Sequence, residues 1–134
     1  MKAQLTIEYM MILVIMLLLF NSITLDLVNT SISDTNEIQT AEMVNISRII
    51  VSDAVGIISM QGSGAKKNVT LRAPSDCDYM ITATTIGVQC ESTSPTYSKF
   101  NDQVIYALPA GSSLSFTGST IASGKFGTVA VSRS

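Results

Sequence analysis

The chain has 134 residues, of which 46% are hydrophobic and 13% charged, and it carries a formal net charge of −2. That length suits one domain, and a balance so close to neutral supplies none of the basic field that nucleic-acid binding requires, so nucleic acid is not an expected partner. With no histidine and two cysteines, the usual general base and the common zinc-ligand sets are missing, and neither a metal nor another cofactor is expected.

Lys2 precedes an uncharged stretch from Tyr9 to Leu25, inside which Met10 to Phe20 contains no polar side chain. As a helix that stretch spans roughly 26 Å, enough for the hydrocarbon layer of a bilayer. Asp26, Asp34, Glu37 and Glu42 follow it, so the positive-inside bias predicts a cytoplasmic N-terminus and an external polar bulk. Three readings compete: a removed signal peptide, a permanent single-pass anchor, and a leader cut before its apolar helix. The residues after Phe20, "NSITLDLVN", offer only a weak Ser22-x-Thr24 match to a small-x-small cleavage site. An anchor accounts for length and topology but leaves Glu8 unexplained, since a carboxylate at a bilayer boundary costs free energy unless it is paired.

The stretch "KAQLTIEYMMIL" resembles the class III signal peptide of archaeal type IV pilin-like proteins. Their pattern is a short basic leader, Gln at the first mature position, Ser or Thr two residues later, Glu at the fifth, and then an apolar helix. The resemblance implies a leader over residues 1–3, cleavage between Ala3 and Gln4, and Thr6 and Glu8 at the third and fifth mature positions. Ala3 stands where the family more often has Gly, and Thr6 where it more often has Ser.

What the resemblance implies is a structural subunit, not an enzyme, that polymerises through its N-terminal helix into an adhesive filament on the cell surface. Its partners would be copies of itself, a prepilin peptidase, an assembly platform with its ATPase, and the membrane before assembly. Glu8 of one copy would pair with the freed amine of Gln4 on a neighbour and set register, a better-supported role for a buried ion pair than stability. Without a partner, Glu8 still favours a helix N-terminus through the macrodipole. The rival readings are a single-pass, membrane-anchored surface binding module, and a minor pilin or tip adhesin that shares the leader.

No proline occurs before Pro74 and the first glycine is Gly56, which predicts an N-terminal helix over residues 4–60, with its apolar polymerisation or membrane segment at 7–28. In the second half, Met43, Ile46, Ile50, Ala54 and Ile57 recur at helical spacing. Val44, Val51, Val55 and Ile58 widen that face beyond a bare coiled-coil seam, so it is expected to pack on the chain's own outer domain. Between the halves, "NTSISDTNEIQT" over residues 29–40 is rich in side chains that compete for backbone hydrogen bonds, and a kink or short melted segment is expected.

The "GSG" at 62–64 has no strand before it and no helix after it, so it reads as a linker. With no GxSxG, P-loop or GxGxxG elsewhere, nothing points to catalysis. From residue 61 to 134 the period changes to two. Val69 and Leu71, then Tyr79, Ile81 and Ala83, then Val104, Tyr106 and Leu108, then Leu114 and Phe116, and finally Val129 and Val131 alternate with intervening residues. With the turn-like segments "APSD", "STSPTYS", "PAGSS", "TGST" and "ASGKFG", the expectation is an α+β fold: the long helix packed on an antiparallel sheet.

Cys77 and Cys90 flank a possible hairpin, although Ala83 and Thr84 at its tip are not hairpin-turn residues. Outside the cell the pair is expected to form a disulfide, with a stabilisation of roughly 3 kcal/mol on the chain-entropy view. Three glycosylation sequons begin at Asn29, Asn45 and Asn68. On a helix, Asn45 points about 140° from the centre of the predicted apolar face and Asn29 only about 60°, so Asn45 and Asn68 are preferred over Asn29.

Overall fold

The computed structural model describes residues 1–91 and 100–134, with the side chain of Ser33 excepted. Its first element, α1 (Lys2–Met60), is a 59-residue helix, and six antiparallel strands follow it. The "STSPTYS" turn lies outside the described residues.

Helix runs unbroken through residues 29–40, which corrects the melted alternative. The hydroxyls expected to compete with the backbone fold back onto their own helix instead. Thr30 donates to the carbonyl of Asp26 at 2.9 Å, and Thr35 to that of Ser31 at 2.8 Å. Bonds of this i−4 kind leave the ladder in place.

The chain divides into two compact units, Met1–Asn36 and Glu37–Ser134. The second half of α1 therefore belongs with the strands, and the outer domain begins inside the helix and not at residue 61. In place of the one sheet expected from the sequence there are two, each of three strands. The first has the order β1 (Lys66–Arg72), β6 (Phe126–Arg133), β5 (Leu114–Thr117); the second has the order β2 (Cys77–Ile81), β3 (Thr85–Cys90), β4 (Gln103–Ala107). They meet where the carbonyl of Ala83, in the β2–β3 turn, accepts from the amide of Phe116 in β5 at 2.9 Å.

Ala83 thus sits in the β2–β3 turn and not in a strand. Thr82 and Thr85 build that turn without glycine or asparagine: the Thr82 hydroxyl accepts from the Thr85 amide at 3.0 Å, and the two side chains bond to each other at 2.7 Å. In β4 the parity is the reverse of that predicted. Ile105 is buried and Val104 exposed, because the register with β3 shifts between Ile86 and Gly87. β6 places Gly127 against Ile121, whose side chain occupies the space where a Cβ would lie.

One core gathers Val51, Ala54, Val55 and Ile58 of α1 with inward residues of both sheets, among them Leu71, Tyr79, Ile86, Val88, Phe116 and Val129. Three polar links fix the helix to these sheets. The buried hydroxyls of Ser47 and Tyr79 hydrogen-bond at 3.0 Å. Arg48 donates through Nε to the carbonyl of Ile105 at 3.1 Å. Arg133 of β6 donates to the carbonyl of Ser59 at 2.8 Å and to that of Gln61, so a cation from a strand satisfies the end of a helix that carries no basic residue in its own last turn.

Burial raises the Tyr79 phenol above its ordinary pKa, with the Ser47 hydrogen bond acting in the opposite direction. Ionisation is therefore easier in the unfolded chain, and the stability tied to the neutral phenol is complete below about pH 10 and lost as pH rises through the folded value. Tyr79→Phe is expected to remove this part of the alkaline loss in pH-dependent denaturation. At neutral pH, Tyr79→Phe and Ser47→Ala should each cost about 1–3 kcal/mol by leaving a buried hydroxyl alone, and the double variant should cost less than the sum.

Candidate functional site

Burial selects one side of the wide face that spacing predicts. Thr40, Val44, Ser47, Val51, Ala54, Val55 and Ile58 turn inward, five of them members of that predicted face, and their mean direction lies about 90° around the helix from the centre of the Met43, Ile46, Ile50, Ala54 and Ile57 set at 100° per residue. The helix carries two adjacent apolar faces. The Val-rich one, interrupted by Ser47 where Tyr79 needs a partner, meets the sheets, while Ile46, Ile49, Ile50 and Ile57 stay exposed. Gly56 lies beside this outward stripe, and a Cβ there would meet nothing within 4 Å. Glycine costs about 1 kcal/mol relative to alanine in a helix interior, and no close approach within the outer domain requires it.

In the unit Met1–Asn36 the exposure is far larger. Every large apolar side chain from Leu5 to Ile32 is exposed, including all of those between Tyr9 and Phe20. These residues are helical because their backbone bonds close within the segment, and the apolar side chains then radiate in all directions. Two hydroxyls are also satisfied internally: Thr6 donates to the Lys2 carbonyl at 2.8 Å and Thr24 to that of Phe20 at 2.6 Å. A segment with its polar groups closed and its apolar surface open is long and apolar enough to cross a membrane. A surface this large is also far beyond what a soluble monomer ordinarily exposes.

Ala3 and Gln4 both lie in the first turn of α1. Glu8 is exposed one turn beyond Gln4 and has no hydrogen-bond or ion-pair partner among the described residues. Asn29, Asn45 and Asn68 are all exposed. Asn45 points away from the buried face of α1, and Asn68 lies on the outer face of β1. Cys77 and Cys90 form a disulfide as expected, and they are directly opposed across β2 and β3. Among the described residues no group of three or more acidic, Cys or His side chains is placed to hold a metal ion.

The outward Ile stripe was visible in the sequence and assigned to the wrong surface. The capping role of Arg133 had no signal there, because its partners Ser59 and Gln61 lie more than seventy residues away. Comparison with protein-family models, with curated proteins and with solved structures finds no match to this chain.

Residues 37–134 produced alone are expected to be soluble and monomeric in detergent-free buffer. The full chain should pellet or require detergent, as measured by analytical ultracentrifugation. A soluble, monomeric full chain would mean that the apolar surface of residues 5–28 is covered by the chain itself.

Proposed function

We propose that this chain is a structural subunit of an extracellular filament of the archaeal type IV pilin kind. It polymerises through the apolar part of α1 and has no catalytic role. The observation that carries the reading is the helix apolar on every side from Leu5 to Val28, joined to an outer domain whose core is already closed. Water is the wrong solvent for such a helix, and two environments suit it: lipid before assembly, and a bundle of the same helix from other copies afterwards. Transfer from one to the other keeps its apolar area from water at roughly 25 cal/mol per Å².

Glu8 fits the same scheme. It is a carboxylate with no side-chain partner among the described residues, at the edge of the apolar run and one turn from Gln4. If the leader of residues 1–3 is removed, the new amine of Gln4 on a neighbouring copy is the cation that offsets it. The outward stripe of Ile46, Ile49, Ile50 and Ile57 gives the outer domain an apolar surface of its own for other copies, with Gly56 leaving room for close approach. Adhesion is the proposed use of the polymer, and the exposed Asn45 and Asn68 are its proposed glycan carriers.

Mass spectrometry of protein recovered from sheared surface filaments is expected to give a chain that begins at Gln4. Glu8→Ala and Glu8→Gln should reach the membrane in normal amounts yet yield few or no filaments by electron microscopy. An intact leader, with the protein confined to the membrane fraction and no fibre containing it, would point instead to an anchored surface binding module.

A further inference from the structure

The outer domain separates its charges along the direction of α1. At the end where α1 finishes, Gly64 donates to the carbonyl of Arg133, and Arg133 to that of Ala65, both at 2.9 Å. Lys66 and Lys67 begin β1 beside them, opposite Ser132 and Val131. No carboxylate occurs in β1, β5 or β6, and the nearest preceding one on the helix is Asp53. Arg133 is occupied with the carbonyls of Ser59 and Gln61, while Lys66 is exposed and Lys67 half-buried.

The opposite end is acidic. The Glu91 amide donates to the Asp76 carbonyl at 3.2 Å, and Asn101 accepts from the Cys90 amide at 3.3 Å, which brings Asp102 to the same corner. Phe100 and Gln103 share a groove with Ile38 and Glu42, so this corner faces the early turns of the domain's helix. From Glu42 to Met60 the helix rises about 27 Å, more than three Debye lengths at physiological salt. Among the described residues three cations lie nearer the acidic end, the first being Arg48, which lines that groove and donates to the Ile105 carbonyl at 3.1 Å. Arg72 stacks over the Phe126 ring at 5.3 Å, and Lys125 holds its carbonyl to the Ala73 amide at 3.0 Å. Glu42, Asp76, Glu91 and Asp102 are exposed there.

We infer that the outer domains of successive copies meet head to tail, the Lys66/Lys67 end of one against the Asp76/Glu91/Asp102 end of the next. The occupant of each end is a second copy because carboxylates are in excess at one end, with Glu42, Asp76, Asp78, Glu91 and Asp102 against Arg48, Arg72 and Lys125, and lysines at the other. A two-fold antiparallel contact would also pair the two ends but would close on itself, whereas a head-to-tail contact leaves each new subunit with a free end, the requirement for open growth. An anionic surface would satisfy the lysines and leave the acidic end repelled. The inference rests on the filament reading and adds to the helix bundle a second contact that sets polarity and spacing between outer domains.

The test is a charge exchange in the full chain, read as the yield of sheared filaments at low salt and in about 1 M NaCl, where the Debye length falls to about 3 Å. Membrane-fraction abundance serves as the control for folding. Lys66→Glu with Lys67→Glu is expected to cut filament yield about tenfold, equivalent to about 1.4 kcal/mol, and Asp76→Lys with Glu91→Lys to do the same. Combining the two pairs should restore yield toward that of the unaltered chain, and high salt should lower the unaltered chain's yield. Filaments that ignore all three variants and the salt would overturn the head-to-tail contact and leave the helix bundle standing. Absence of filaments from the unaltered chain would overturn both. If the lysine variant assembles normally but loses binding to phosphatidylglycerol vesicles, the basic end is a membrane-docking surface and the contact between copies is wrong.

Discussion

A helix whose side chains are apolar in every direction has no stable place in water, and the rest of this molecule is arranged around that constraint. From Leu5 to Val28 the backbone is closed on itself and the hydroxyls of Thr6 and Thr24 are turned back onto it. Glu8 has no side-chain partner among the described residues, and every large apolar side chain is exposed. The Glu37–Ser134 unit behaves in the opposite way: its apolar residues are gathered inward and its outer strand faces carry Asn, Thr, Lys and Arg. The segregation lets one end of the chain be stable in water while the other is stable only where its apolar surface is covered.

The outer domain is secured to its helix by position-specific polar links as well as by apolar contact. Burial of Val51, Ala54, Val55 and Ile58 would tolerate a helix rotated or slid by a few ångströms, because apolar attraction has little direction. Ser47 on Tyr79, Arg48 on Ile105 and Arg133 on the last carbonyls of α1 remove that freedom. Each link joins the helix to a different strand, β2, β4 and β6 respectively. Orientation in the outer domain thus comes from three polar links spread over residues 47–59 of the helix, and adhesion between the layers comes from the core.

Much of this was legible in the residues themselves. The distance to the first glycine and proline set the length of α1, period-two alternation located β1, β5 and β6, and an even pair of cysteines flanking two strands identified the disulfide. Other features were hidden for physical reasons. Ile46, Ile50 and Ile57 are as apolar as the valines that pack inward, so spacing marks two overlapping faces and cannot say which one the sheets will cover. The turn at Ala83 and Thr84 lacks Gly and Asn because the side chains of Thr82 and Thr85 supply its bonds. The register shift at Ile86 and Gly87 reverses the parity of β4, so that Val104, predicted inward, faces out. The division into two sheets depends on pairings such as Leu71 with Gly127, which are long-range and leave no local mark. For the N-terminal surface the reading came from composition alone, since a run with no polar side chain is exposed in the same way whichever way its helix is turned.

The strand order β1–β6–β5 has a kinetic consequence. The strand in the middle of that sheet is the final one in the chain, so a polypeptide emerging N-terminus first presents β1 long before its only neighbour arrives. Sheet closure then waits on a contact of high sequence separation, a slow event compared with winding α1 or forming the β2–β3 hairpin. Throughout that delay β1 is an open template for mispairing, and Lys66, Lys67 and Arg72 are the kind of residues that discourage another strand from joining it. Lys66 and Lys67, which mark one end of the finished domain, and Arg72 at the other end of the strand therefore also act as gatekeepers while it is being made.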